Sequence, residues 1–434
     1  MKIRQTANDD AIVTHDNRPT ACIGVPRETD NCREAIEAAV PEGAEVVHAD
    51  ATLGYAHVAL PTGDLTAANE MTAEMDSNDA VAYAERTPVY EHSFANEAED
   101  SPFTGVLKAI QPGLRAVSDA LRNAGIGTDA DDPRASEQYA PEQVNAAEAR
   151  AMLPEDREVA PKFTVIDTGV DYLHPDLREQ FGENKGYDFG SDDDDPRTEV
   201  GLVTFHGSHV AGIAGATVGN DEGIAGIAGL PETQILSARI FGSGTRTIGP
   251  IVADAIRFAA DNGSQVLNMS IGGGEQSGLP SETVRRATEY ATDNGTLCVA
   301  ATGNSGESPV QYPAKHPNVL GVTATNSDGQ VASFPNFGED ADITGPGVDV
   351  LSTVPPYKGI SPIGLYYAEK SGTSMSSPAV CGVALLGLYA AEGDITPADL
   401  RAALRRTAEE IPNTPVERQG AGIARADRLV DDLS

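Results

Sequence analysis

Cysteine, lysine and long apolar runs are all scarce in this chain, and each scarcity excludes something. Four cysteines among 434 residues are too few for a disulfide scaffold, and no Cys-x-x-Cys pair suggests a metal or redox motif. Cys298, within Leu297-Cys298-Val299-Ala300-Ala301, and Cys381, within an apolar helical stretch, read as buried free thiols. Cys22 and Cys32 could pair in an oxidising compartment. No run of about 18 apolar residues occurs, so no helical membrane span is expected. Met1 to Thr20 hold neither an apolar h-region nor a twin arginine. Two expectations follow: a cytoplasmic protein from this sequence alone, or a secreted one whose true start lies upstream. Only seven residues are lysine, and 30 basic residues face 66 acidic ones, giving a formal charge of −36. Such a surface repels nucleic acid and anionic lipid. An acidic, lysine-poor shell suits dense counterions that screen self-repulsion. Salt adaptation is therefore expected, with an acidic protein of ordinary salt as the alternative.

The length implies two or three units. Residues 1–20 form an N-terminal segment. Residues 21–93 read as a small α+β unit, with helices at Cys32 to Val40 and Leu65 to Met75. Strands are expected at Glu45 to His48, Tyr55 to Leu60 and Ala80 to Ala84. Residues 94–135 read as an acidic linker with one amphipathic helix, because Leu114, Val117 and Leu121 share a face. A docking helix for a partner is the alternative. From residue 136 to 434, apolar strands near Phe163, Ile235, Val266, Cys298 and Val319 alternate with helices at Ile251 to Asp261 and Glu282 to Asn294. That pattern predicts an α/β fold, a parallel sheet with helices on both faces.

Three runs carry chemistry. Asp167 closes an apolar strand in Phe163-Thr164-Val165-Ile166-Asp167-Thr168-Gly169, where a carboxylate faces a site beyond the strand's carboxyl end. His206 opens a stretch of small residues, His206-Gly207-Ser208-His209-Val210-Ala211-Gly212. A helix so made packs closely and holds its first residue rigidly, as a general base requires. Ser374 lies in Gly372-Thr373-Ser374-Met375-Ser376-Ser377-Pro378. Pro378 is tolerable only near a helix start, so a buried helix begins at the serine and aims its positive end at the reacting centre. A serine hydroxyl needs an imidazole to take its proton and a carboxylate to orient that imidazole.

These runs, in the order Asp, His, Ser, resemble the subtilisin-like serine proteases (subtilases), including their halolysin-type members from salt-loving archaea. The resemblance is continuous from Ser136 to Ser434. It implies a serine endopeptidase with Asp167, His206 and Ser374 as triad. It also implies Asn304, in Thr302-Gly303-Asn304-Ser305-Gly306, as oxyanion donor beside the Ser374 N–H. Related acid-pH sedolisins carry Asp at that place and Glu in place of His206, so neutral to alkaline activity is implied. Substrate is expected to lie extended along Ser270-Ile271-Gly272, with Gly303 walling the first pocket and Phe241-Gly242-Ser243-Gly244 on the other side. With no charged residue assigned to that pocket, a broad, apolar-leaning preference is expected. Residues 21–93 resemble the propeptide that assists folding and then inhibits its own enzyme, which implies that its carboxyl end, around Tyr90 to Ala98, reaches the active site and pairs in extended form beside Ser270-Ile271-Gly272; a permanent binding domain is the other reading.

His209 is read as structural, since a His-x-x-His zinc pair lacks acidic ligands at suitable spacing. No cofactor is needed for the chemistry. The metal sites are left unassigned, but Asp176 and the loop Val218 to Gly223 match family positions for structural calcium. Asp192 to Asp195 read as a solvated loop. Protein or peptide substrates are the expected partners. An esterase would show Gly-x-Ser-x-Gly and another residue order, and a non-catalytic relative would show a lost triad residue; neither fits.

Overall fold

The computed structural model describes residues 2–5, 11–15, 18–26, 29, 32–78, 80–92, 132–154, 157, 159–198, 205–242, 246–273, 280–356 and 366–434. The amphipathic helix expected between 94 and 131 lies outside them, as do Ser243 and Gly244.

The first unit comprises β1 (Lys2–Gln5), β2 (Ala11–His15), β3 (Arg18–Gly24), α1 (Cys32–Ala39), β4 (Glu45–Asp50), β5 (Tyr55–Ala59), α2 (Leu65–Asp76) and β6 (Tyr83–Arg86). Its antiparallel sheet has the order β1-β2-β3-β5-β4, and β6 also pairs with β3. The boundary drawn at residue 20 falls inside β3, so the first residues belong to this sheet. Their strand character comes from pairing, with Lys2 to Gln5 lying against Thr14 to Ala11. Asp64 caps α2 by accepting from the Ala67 N–H at 2.9 Å.

Alternation along β3 gives the unit two faces. Ala21 and Ile23 join Ile36, Ala68 and Met75 beneath the helices. Cys22 faces the opposite way, with Leu53, Tyr55 and Tyr83, towards the second unit. The pairing considered for Cys22 and Cys32 does not form. All four cysteines are free thiols, and Cys32 packs on the helix side of the sheet. Burial pushes the Cys298 thiol up to about 12, and Cys22 and Cys381 well above the usual range.

β7 (Val89–His92) carries the chain from the first unit into the second. There, short helices α3 (Ala140–Gln143) and α4 (Ala146–Met152) precede β8 (Lys162–Asp167), β9 (Gly186–Asp188), α5 (His206–Gly215) and β10 (Gln234–Arg239). Next come β11 (Arg246–Ile248), α6 (Gly249–Asp261), β12 (Val266–Met269), β13 (Ile271–Gly273), α7 (Glu282–Asp293) and β14 (Leu297–Ala301). The chain continues through β15 (Val319–Thr325), β16 (Ile343–Pro346), β17 (Val350–Thr353), β18 (Tyr367–Lys370) and α8 (Thr373–Ala390). It closes with α9 (Pro397–Thr407), α10 (Val416–Gln419) and α11 (Ala426–Leu433).

Seven of these strands form one sheet in the order β16-β15-β14-β12-β8-β10-β9, every pair parallel. Phe163, Val165 and Val299 turn to a core shared with α5, α8, α9 and α11. Ile166, Cys298 and Ala300 turn to one shared with α6 and α7. Both faces are covered, which is why these strands are apolar at nearly every position. α8 is apolar and long enough to cross a membrane, yet 94% of it is buried inside the protein, where it forms the centre of the core.

The first unit seats Leu53, Tyr55, Tyr83 and Cys22 on α6 and α7. Polar contacts ring that apolar patch. Arg286 on α7 donates to the Val25 carbonyl at 2.7 Å and stacks over the Tyr83 ring at 4.7 Å. The His48 ring meets Asp254 at 3.1 Å, and Arg257 meets Asp50 at 2.6 Å. Glu85 caps α7, accepting from the Glu282 N–H at 2.8 Å and from the Thr283 hydroxyl at 2.9 Å.

Candidate active site

The carboxyl ends of β8, β12 and β14 deliver Asp167, Ser270 and Asn304 to one edge of the parallel sheet, the usual place for a site in open α/β folds. His206 is the first residue of α5. That helix approaches β8 closely because Gly207 has no side chain: a Cβ there would stand 2.4 Å from the Gly169 carbonyl oxygen and 3.2 Å from the Asp167 Cβ. Gly169 in turn has φ +92°, a conformation that favours glycine. The small residues thus bring the imidazole onto the carboxylate. His206 Nδ1 lies 2.8 Å from both Asp167 oxygens, with both side chains fully buried. The Thr168 N–H also donates to Asp167 Oδ1, at 2.6 Å.

Ser374 is the second residue of α8 and is buried. Its Oγ donates to the Ser270 carbonyl at 3.3 Å. The reverse contact has a covalent cause. Pro378 has no N–H, so the Ser374 carbonyl four residues earlier lacks its helical donor. The Ser270 hydroxyl supplies one at 2.8 Å. Asn268 holds that hydroxyl by donating to it at 2.8 Å, and accepts from the Ser377 hydroxyl at 2.6 Å. The proline that the sequence marks as a helix-start signal therefore also locks the serine turn to the β12–β13 edge.

Asn304 receives the Thr373 N–H at 2.9 Å and the Thr373 hydroxyl at 3.0 Å on its Oδ1. Its Nδ2 is buried and has no hydrogen-bond partner among the described residues. A buried, unsatisfied donor is costly and calls for a physical reason. Gly303, at φ +104°, brings the turn against Gln311.

The edge expected to pair with substrate, Ser270 to Gly272, is already paired. β7 lies between β11 and β13 in a three-stranded antiparallel sheet. Glu91 stands opposite both Arg246 and Gly272, Tyr90 opposite Thr247 and Gly273, and His92 opposite Ile271. Tyr90 is buried, and Arg246 Nε donates to Glu91 Oε1 at 2.5 Å. The sequence reading missed Arg246 as a cleft residue. Its only signal was a cation beside the segment expected to flank substrate.

His209 is fully buried, its Nε2 is 2.9 Å from the Ala368 carbonyl oxygen, and burial lowers its pKa to about 3. Asp176 accepts from the Ile224 N–H at 2.9 Å and from Asn220 Nδ2 at 3.1 Å. Asp132, assigned by sequence to the linker, is buried beside this loop and accepts from the Gly219 and Asn220 N–H groups. The second unit therefore reaches back at least to residue 132. Among the described residues no three acidic, His or Cys side chains converge as a metal cluster, and Asp192 to Asp195 are exposed.

The fold and the site geometry define a subtilisin-like hydrolase. The subtilase family model matches residues 160–422, and the chain belongs to that family of serine proteases. Halolysin of Haloferax mediterranei is 37% identical over 401 residues, covering 92% of this chain and 67% of its own length. The halolysin-like extracellular serine protease Nep of Natrialba magadii is 34% identical over 412 residues, covering 94% of this chain and 66% of its own. The crystal structure of fervidolysin from Fervidobacterium pennivorans, a keratinolytic enzyme related to subtilisin, superposes with a TM-score of 0.74 at 23% identity, over 95% of this chain and 61% of that one. The chain thus spans about two thirds of the length of these two curated relatives.

Proposed function

We propose that this protease cleaves peptide bonds through an acyl-enzyme formed on Ser374, and that its first unit is an intramolecular inhibitor. Ser374 Oγ attacks the substrate carbonyl carbon while His206 takes the hydroxyl proton and passes it to the leaving amine; water then releases the acyl group by the same route in reverse. Asp167 fixes the tautomer and stabilises the imidazolium. Asn304 Nδ2 and the Ser374 N–H hold the oxyanion. Ser270, Ile271 and Gly272 pair with the substrate backbone, and Gly303 walls the first pocket.

The single observation that carries this reading is the buried Asp167–His206 contact at 2.8 Å, beside the helix start that bears Ser374. A fluorophosphonate should label Ser374 in the wild type and nothing in Ser374→Ala. Label on another serine, or turnover surviving in the variant, would sink the mechanism.

The inhibitor role rests on β7, which occupies the strand position an extended substrate would take. Counting on from His92 opposite Ile271, cleavage is expected after Ser93, leaving Phe94 as the new amino terminus. Two further expectations follow from chemistry and kinship. The charge of −36 and the halolysin relatives support salt adaptation and secretion. Asp132 and Asp176 supply carboxylate oxygens of the kind calcium takes beside the loop Val218 to Gly223, so a structural calcium there is proposed. Chelation should then lower the thermal midpoint.

A further inference from the structure

The peptide already lying in the cleft shows which side chains the cleft reads. β7 carries Val89 against Ile248 and Ile251, Tyr90 into a buried position, and Glu91 onto Arg246. Backbone pairing on both sides of Glu91, with Arg246 and with Gly272, fixes which substrate residue would meet the guanidinium. A peptide continuing this register would present its residue two places later to Ser270, whose carbonyl accepts the Ser374 hydroxyl. The position held by Glu91 is therefore the third residue upstream of the cleaved bond. Arg246 reaches it from β11 at 2.5 Å, with 31% of the Arg246 and 39% of the Glu91 side chain exposed.

We propose that Arg246 is a specificity-determining residue that selects peptides with an acidic side chain at the third position upstream of the scissile bond. This rests on the reading that β7 occupies the substrate cleft. The physical case is local. An enzyme with 66 acidic residues repels acidic peptides at long range, and salt at about 1 M cuts that repulsion to a range of about 3 Å. A contact ion pair acts within that range and so still discriminates. Both groups are partly exposed, so the preference is modest, roughly 1.5- to 5-fold for the charge pair over a neutral residue. Arginine suits the role, because its guanidinium stays charged at every working pH and forks onto a carboxylate.

The test is full-length protein, expressed and left to process, assayed on three fluorogenic peptides that share a Tyr followed by Glu, Gln or Lys at the tested position. Mass spectrometry of the products locates the cleaved bond. Wild type should cleave the Glu peptide about fivefold or more faster than the Lys peptide by kcat/KM at about 1 M salt, where the long-range repulsion is screened. Arg246→Glu should bring that ratio below one, and Arg246→Gln should bring it near one; fluorophosphonate labelling reports that each variant is folded. A wild-type ratio near one, or a ratio the variants leave unchanged, overturns the proposal. Cleavage of all three peptides at a bond that is not three residues on overturns the register and with it the reading of β7. No cleavage of any peptide, and no label on Ser374, in protein whose first unit mass spectrometry shows to have been released, overturns the protease reading as well.

Discussion

α7 and α8 are held by different chemistry, and the difference separates the centre of the second unit from its contact with the first. Beyond its amino-terminal turn and the Ser377 and Tyr389 hydroxyls, α8 sits among apolar side chains such as Val210, Val322, Leu404 and Leu429. Nothing in that packing responds to pH or to a partner. The amino end of α7, by contrast, is capped by Glu85 of the other unit, and its Arg286 is spent on carbonyls of Val25 and Gly54. The contact between units thus mixes an apolar patch with buried and partly exposed charged groups. Core packing of the first kind costs several kcal/mol to disrupt, whereas the contact between units sets partly exposed His48 and Arg257 on the mostly buried carboxylates Asp254 and Asp50. Release of the proposed inhibitor has to break contacts of the second kind.

The largest expected effect falls on the second unit. Asn304→Ala removes the buried Nδ2 that lacks a partner among the described residues. It should lower kcat by about 10²–10³-fold, the range known for this donor in subtilisin, and leave the seating of the first unit unchanged. A kcat within threefold of wild type would remove Asn304 from the oxyanion hole. Salt comes next and acts on both units. Lowering salt from molar to about 0.1 M lengthens the screening distance from about 3 to about 10 Å. With 66 acidic residues against 30 basic ones, activity and thermal midpoint should fall together. A midpoint unchanged across that range contradicts salt adaptation alone.

The smallest effect concerns only the interface. The Asp254 hydrogen bond raises the His48 pKa, and burial raises that of Glu85 despite its four hydrogen bonds. A raised pKa means that the contact favours the protonated form. Its contribution is complete below the unbound value, 6.5 for His48 and 4.5 for Glu85, and is lost as the pH rises through the raised value. The activation lag of the full chain should therefore shorten as the pH rises from 6.5, by a few-fold. His48→Gln should flatten that dependence. A lag that lengthens with pH, or one with the same slope in the variant, contradicts the assignment. In acid the sign reverses. Burial lowers His57 of the first unit to about 3, so its fold loses stability as the pH falls from 6.5 towards 3.

How much of this was legible depends on where the information lies. Strands such as Phe163 to Ile166 declared themselves because burial on both faces demands apolar residues in sequence. The segments around Asp167, His206 and Ser374 were legible because small residues and one proline are local requirements of their geometry. β7 was legible only through the resemblance, which led to extended pairing beside Ser270-Ile271-Gly272; on their own, Val89 to His92 have no period and become a strand only between β11 and β13. Asp132 was hidden likewise. In sequence it is one acid in a turn-rich stretch; in the fold it is buried against backbone N–H groups from a loop almost 90 positions away. Lys2 to Gln5 needed β2 as a partner before they could be called a strand. Contacts distant in sequence leave little local trace.

The central claim is that β7 lies in the cleft as the product side of a bond that Ser374 cuts. Wild type and Ser374→Ala, expressed side by side and analysed by mass spectrometry and amino-terminal sequencing, test it most directly. The account predicts a wild type that begins at Phe94 or further along the linker, accompanied by a released first unit, and a Ser374→Ala chain that stays whole. A wild type that is active with its first unit still attached, or a Ser374→Ala chain cut at the same bond, would contradict it.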